Sequence, residues 1–141
     1  DEIDKTLIAI KNAFPDKKLI AMFQPHTISR TESLKNEFAK AFSAVDTVIF
    51  LPIFTSKREG EMDYSHLYSE IQKNMEENGL EVVFMPDTRQ KEDQVFSPYF
   101  LSSNRIPVVK YIQDHFNSKD FVVVTLGAGD IYKISYDLIN T

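Results

Sequence analysis

Apolar and polar positions alternate between helix-like and strand-like spacing along the chain. DEIDKTLIAIKNAF (1–14) places Ile3, Leu7, Ile8, Ile10 and Phe14 on or near one helical face, with Asp1 as a candidate cap. Pro15 and Asp16 end that helix. KLIAMF (18–23) is a short, almost continuous apolar run, the pattern of a parallel strand buried on both faces. Polar residues then open a second helix. Ser29-x-x-Glu32 reads as a capping box that puts Arg30 at the first helical position, and Leu34, Phe38, Ala41, Phe42 and Val45 form one apolar stripe behind it. TVIFLPIF (47–54) is the second strand, with Pro52 limiting how far it pairs centrally.

FTSKREGEMD (54–63) reads as a loop. After it, Tyr64, Leu67, Tyr68, Ile71 and Met75 recur at helical spacing and Gly79 terminates the helix. LEVVFM (80–85) is a third buried-type strand, stopped by Pro86-Asp87. Residues 87–104 are too long for an ordinary loop and are read as an excursion containing one extra short strand. Pro107 then suits the first turn of a helix over IPVVKYIQDHF. FVVVTLG (121–127) is a fourth strand, and a last helix starts at about Asp130. This order predicts an α/β domain, a mostly parallel sheet with helices on both faces. No repeat or linker divides it, so residues 1–141 are expected to form a single domain.

The 141 residues suffice for one domain with a sizeable core. Hydrophobic residues at 43% and charged residues at 26% are globular proportions. A net charge of −5 argues against a nucleic-acid module. The absence of cysteine excludes disulfides, thiol catalysis and Cys-based zinc sites. No run approaches the ~20 apolar residues of a membrane span.

Two strand-to-helix junctions carry chemistry. In open α/β sheets, ligands sit beyond the carboxyl ends of the strands. The first junction, QPHTISRT, gathers His26, Ser29, Arg30 and Thr31 at a helix N-terminus, where free amides and a partial positive charge favour an anion. Arg30 adds a fork-shaped donor for a carboxylate or phosphate, with His26 as a polar contact. An ordinary cap, with Arg30 in solvent, accounts for the same residues. At the second junction, Gly127, Ala128, Gly129 and Asp130 offer close backbone approach, an anion nest and a cap. A plain tight turn fits these residues too. Tyr132 stands where a dinucleotide fingerprint needs a third glycine. Lys57, Arg58 and Glu59 lie on the same predicted rim, as a charged loop. His66 and His115 have no second histidine at i+4, so no metal site is expected. Neither a GxSxG elbow nor a GxxxxGK[ST] phosphate loop occurs.

FQPHTISRT resembles the FQPH-x-[YFI]-[ST]-R-T signature in the third, C-terminal domain of the UDP-N-acetylmuramate–L-alanine ligase family, a branch of the ATP-dependent Mur ligases. DEIDKTLIAIK, AVDTVIFLPIF and FVVVTLGAGDI match further family segments in the same order, so the resemblance spans nearly the whole chain. It implies a Rossmann-like, three-layer αβα domain that closes over a central ATPase domain of the same polypeptide. It also implies ligation of L-alanine to UDP-N-acetylmuramate in cytoplasmic peptidoglycan synthesis, with ATP and Mg2+ bound mainly outside this chain. By the same resemblance His26 and Arg30 face the closed site, with Ser29 and Thr31 beside them, and Gly127 to Asp130 form the other rim. No catalytic residue is expected within the chain, and the isolated domain is expected to be inactive.

Thr27 departs from the family pattern, because many members carry a second arginine there. The family's DDYAHHP stretch should end immediately before Asp1, so a fragment of a longer enzyme is expected. Two alternatives accompany this reading: a related ligase that recycles murein tripeptide, and a stand-alone anion-binding module without catalysis. The tripeptide ligase has an FxPR-type start, so His26 favours the first reading.

Overall fold

A computed structural model describes residues 2–53, 64–84, 100–116, 118–127 and 131–139. Its elements run α1 (Glu2–Ala13), β1 (Lys18–Gln24), α2 (Ile28–Leu34), α3 (Phe38–Ala41), β2 (Thr47–Phe50), α4 (Ser65–Glu77), β3 (Glu81–Phe84), α5 (Phe100–His115), β4 (Phe121–Gly127) and α6 (Tyr132–Ile139). The four strands form one parallel sheet in the order β3-β2-β1-β4. The α/β fold class read from the pattern is the one observed.

Alternation along each strand sorts the core into two halves. Leu19, Ala21, Phe23, Val48, Phe50, Val82 and Phe84 face Leu7 of α1, Phe38 and Phe42 at α3, and Leu67, Tyr68, Ile71 and Met75 of α4. Ile20, Met22 and Ile49, with Leu51 just past β2, face Val108, Val109 and Ile112 of α5 and Ile131 and Ile134 at α6. Both faces of β1 and β2 are therefore covered, which is why these strands read as apolar runs rather than as alternating ones. The crossovers from β1 to β2 and from β2 to β3 lie on one face. The helix entering β4 lies on the other, so the winding direction reverses between β1 and β4.

Several boundaries differ from the sequence reading. The single helix expected behind Ser29 is two short ones, because the backbone tightens at Lys35–Glu37, where Lys35 N donates to Glu32 O and Glu37 N to Leu34 O. The break lets Phe38 and Phe42 settle on Phe23 and Phe50, with ring centroids 5.4–6.1 Å apart across the two pairs. Lys35 secures the turn through Glu32 (2.9 Å) and Glu70 of α4 (3.2 Å). Strand β2 stops at Phe50. Leu51 N still donates to Phe23 O, but Pro52 has no N–H to continue the ladder.

Helix α5 corrects two expectations. It begins at Phe100, so residues 100–104 are helical, and Pro107 stands well inside the helix instead of in its first turn. An interior proline forfeits one backbone bond and costs about 3 kcal/mol. Burial of Val108, Val109 and Ile112 against the sheet supplies a compensating gain of similar order. Ile8 on α1 and Phe14 just past its end are exposed despite their apolar character, at 43% and 44%. The expected Asp1 cap, the loop with Lys57, Arg58 and Glu59, and residues 87–99 of the 87–104 excursion read as containing an extra strand lie outside the described residues.

Candidate functional site

The ladder between β1 and β4 pairs Gln24 with Gly127, the last residue of each strand. The two junctions singled out in the sequence thus leave the sheet side by side, at the point where the winding reverses. Ligands of open α/β sheets collect at such switch points.

The first junction is built by Gln24, Pro25 and Thr27. Gln24 is 1% exposed and donates from Nε2 to the Pro52 carbonyl at 3.2 Å, which ties the ends of β1 and β2 together. That bond fixes the orientation of the amide, since the reverse would set two oxygens against each other. Its Oε1 is buried and has no hydrogen-bond partner among the described residues. Leaving such an acceptor unmatched costs about 1–3 kcal/mol.

The helix cap is Thr27, not Ser29. Arg30 N donates to Thr27 Oγ1 at 3.3 Å, and helix α2 starts at Ile28. Ser29 and Arg30 therefore sit inside the first turn, and the capping box expected from Ser29 and Glu32 is not the one that forms. Glu32 turns instead to Lys35. Thr27 holds φ 60° and ψ 147°, a conformation that β-branched residues rarely adopt.

His26, Ser29 and Arg30 are exposed, whereas Thr31 is 1% exposed. The Thr31 hydroxyl donates to Thr27 O at 2.7 Å, so it serves the turn rather than the surface. Arg30 lines an open cleft of about 830 Å³ between α1 and the α2–α3 segment, together with Glu2, Asp4, Glu37, Leu34 and Phe38. Its guanidinium makes no ion pair among the described residues, although three carboxylates line the same cleft.

At the second junction Gly127 has φ 125°. Thr125 Oγ1 meets Ser135 Oγ at 2.8 Å and ties β4 to α6. Ala128, Gly129 and Asp130 lie outside the described residues, and α6 is helical from Tyr132. No group of three or more metal-ligating side chains occurs among the described residues. His66 lies 3.4 Å from Glu70, and His115 stacks on Tyr111 with ring centroids 4.0 Å apart.

The sequence reading noted Thr27 as a departure from the family pattern but assigned the cap to Ser29, and it gave Gln24 no role at the junction. Gln24 left one legible sign, a lone amide closing a buried apolar run just before a proline. Thr27 left only a hydroxyl three residues ahead of Arg30, and its backbone conformation has no sequence signal.

No family model matches the chain. Curated relatives do. A UDP-N-acetylmuramate–L-alanine ligase of Desulfitobacterium hafniense is 35% identical over 138 residues, which is 98% of this chain and 26% of the relative. The enzyme of the same name from Ligilactobacillus salivarius is 35% identical over 137 residues, 96% of this chain and 24% of that one. Over a shorter stretch of 58 residues, 41% of this chain, identity to the Pediococcus pentosaceus enzyme rises to 53%. The chain spans about a quarter of the length of the curated relatives it matches. Similarity along almost its whole length, on an α/β fold with a doubly wound parallel sheet, places this chain in the UDP-N-acetylmuramate–L-alanine ligase family of Mur ligases.

Proposed function

We propose that the chain is the C-terminal, closing domain of a three-domain enzyme that joins L-alanine to UDP-N-acetylmuramate. One observation supports the placement of its site: the register of Gln24 against Gly127 sets both junctions at the switch point of the sheet. Arg30 is the anchor for the carboxylate of the incoming amino acid or for a nascent phosphate, and His26 and Ser29 are polar contacts beside it. Thr31 acts through the turn, because its hydroxyl is engaged by Thr27. Gly127, Ala128, Gly129 and Asp130 form the opposite rim, towards the nucleotide.

ATP and Mg2+ are assigned to the central domain of the same polypeptide. Among the described residues no cluster suits a divalent cation, and the sequence has no phosphate loop, so the described residues do not fit a resident magnesium–nucleotide site. No chemical step is assigned to a side chain of this chain. Its contribution is to bind, orient and exclude water when the domains close, an effect that positioning alone makes large. A cytoplasmic setting belongs to this reading.

Arg30→Ala in the full-length ligase tests it. The KM for L-alanine is expected to rise roughly 10²-fold while the KM for UDP-N-acetylmuramate changes little. Unchanged kinetics would remove Arg30 from the site.

A further inference from the structure

Thr27 is the sole non-glycine residue with positive φ among the described residues, and it is β-branched. Capping does not require this. Serine and threonine ordinarily cap helices from the β region, with the same side-chain bond to the first turn. What the unusual backbone changes is the direction from which the chain enters α2. That direction decides where His26, one residue before, and Arg30, in the turn after, present their side chains.

We propose that Thr27 is a positioning residue, held in a strained conformation so that His26 and Arg30 keep a fixed orientation at the rim; the inference rests on reading that rim as the amino-acid site. Strain of this kind persists only where the surroundings over-determine it. Both sides of Thr27 are held in this way. Upstream, Gln24 is bonded to the Pro52 carbonyl, and Pro25 is buried with its φ fixed by its ring. Downstream, the Thr27 carbonyl accepts from Thr31 N at 3.1 Å and from Thr31 Oγ1 at 2.7 Å, while Thr27 Oγ1 accepts from Arg30 N at 3.3 Å. The strained residue therefore sits between two anchored segments, and the exposed side chains on either side of it follow its geometry. A flexible residue here would free both.

Two substitutions in the full-length ligase separate positioning from ordinary capping. Thr27→Gly accepts the positive φ without strain, so its melting temperature should equal or exceed that of the parent despite the lost hydroxyl. Its KM for L-alanine should nevertheless rise about tenfold, because the turn is no longer held rigidly. Thr27→Ala keeps the stiff, strained backbone and loses the cap. It should melt at a lower temperature and yet lose less affinity for L-alanine than the glycine variant. The expected signature is this crossing of stability and affinity.

If KM instead follows melting temperature across the three proteins, Thr27 is a plain cap and the inference falls. A Thr27→Gly enzyme with parental KM overturns it equally. Arg30→Ala, measured alongside, identifies which reading has failed. If that variant is also silent, the amino-acid reading of the rim fails and takes this inference with it. If Arg30→Ala raises KM and Thr27→Gly does not, the positioning role alone is lost.

Discussion

Gly127 meets Gln24 so closely across the β1–β4 ladder that no side chain fits between them. A Cβ built on Gly127 would overlap the Gln24 carbonyl oxygen and lie 3.0 Å from its carbon and nitrogen. The atom in the way is backbone of the central strand, which cannot swing aside as a flexible side chain would. The φ of 125° is also one that L-residues rarely adopt.

Gly127→Ala is therefore expected to destabilise the domain by about 2 kcal/mol or more, through the clash and the forbidden φ together. Urea unfolding of the two proteins checks this. A loss below about 0.5 kcal/mol would mean that β4 can separate from β1 at no cost.

Gln24 makes a second, subtler case. Gln24→Met removes the donor to Pro52 O, a loss of about 1 kcal/mol, but also removes Oε1, which has no partner among the described residues and whose burial costs a similar amount. The near-isosteric change should leave stability within about 1 kcal/mol of the parent. Gln24→Ala keeps neither the volume nor the bond and should be clearly worse. Equal losses in the two variants would show that the hydrogen bond to Pro52 dominates over packing.

Phe50 sits amid the aromatic cluster, with Phe38, Phe84, Phe23 and Tyr68 rings at 5.5, 5.5, 5.6 and 5.6 Å. Phe50→Ala should cost about 3–5 kcal/mol, since rigid rings from both sides cannot collapse into the space. Calorimetry or denaturant titration reads the loss directly. A cost near 1 kcal/mol would mean that the cluster repacks freely.

Tyr68 predicts how stability depends on alkaline pH. Burial, with the Tyr64 phenol nearby as a smaller cause, pushes its phenol well above the ordinary tyrosine value, and its hydroxyl donates to the Leu51 carbonyl. The unfolded chain gives up this proton near pH 10, about the model-peptide value. Below that pH both states keep it, and stability does not depend on it. Above it the unfolded state ionises first, so stability falls as pH rises, by at most about 1.4 kcal/mol per pH unit from this group. Tyr68→Phe should flatten that alkaline slope while lowering stability at neutral pH by about 1 kcal/mol, because Leu51 O loses its donor. Urea midpoints between pH 9 and 11 give the comparison, and identical slopes would assign the alkaline loss to other groups.

The sequence by itself determined the alternation of helices and strands and many of the side chains that enter the core, although Ile8 and Phe14, placed on the same apolar face as Leu7, are exposed. Leu67, Tyr68, Ile71 and Met75 were legible because a helix brings every third or fourth residue to one face. The runs at 19–23 and 48–51 were legible because strands buried on both faces need apolar residues at successive positions. Both junctions of the site announced themselves locally, through FQPHTISRT and the glycines after β4. Only the tertiary structure decided the rest. The strand order sets Gly127 against Gln24, and no local rhythm carries that information. Phe38 and Phe42 broke a helix in order to reach Phe23 and Phe50, and buried valines carried α5 through Pro107. Thr27 took a backbone conformation that its residue type disfavours, between segments anchored on both sides of it. Periodicity is a property of neighbours along the chain, whereas close approach, strain and an unmatched buried amide arise between segments distant in sequence.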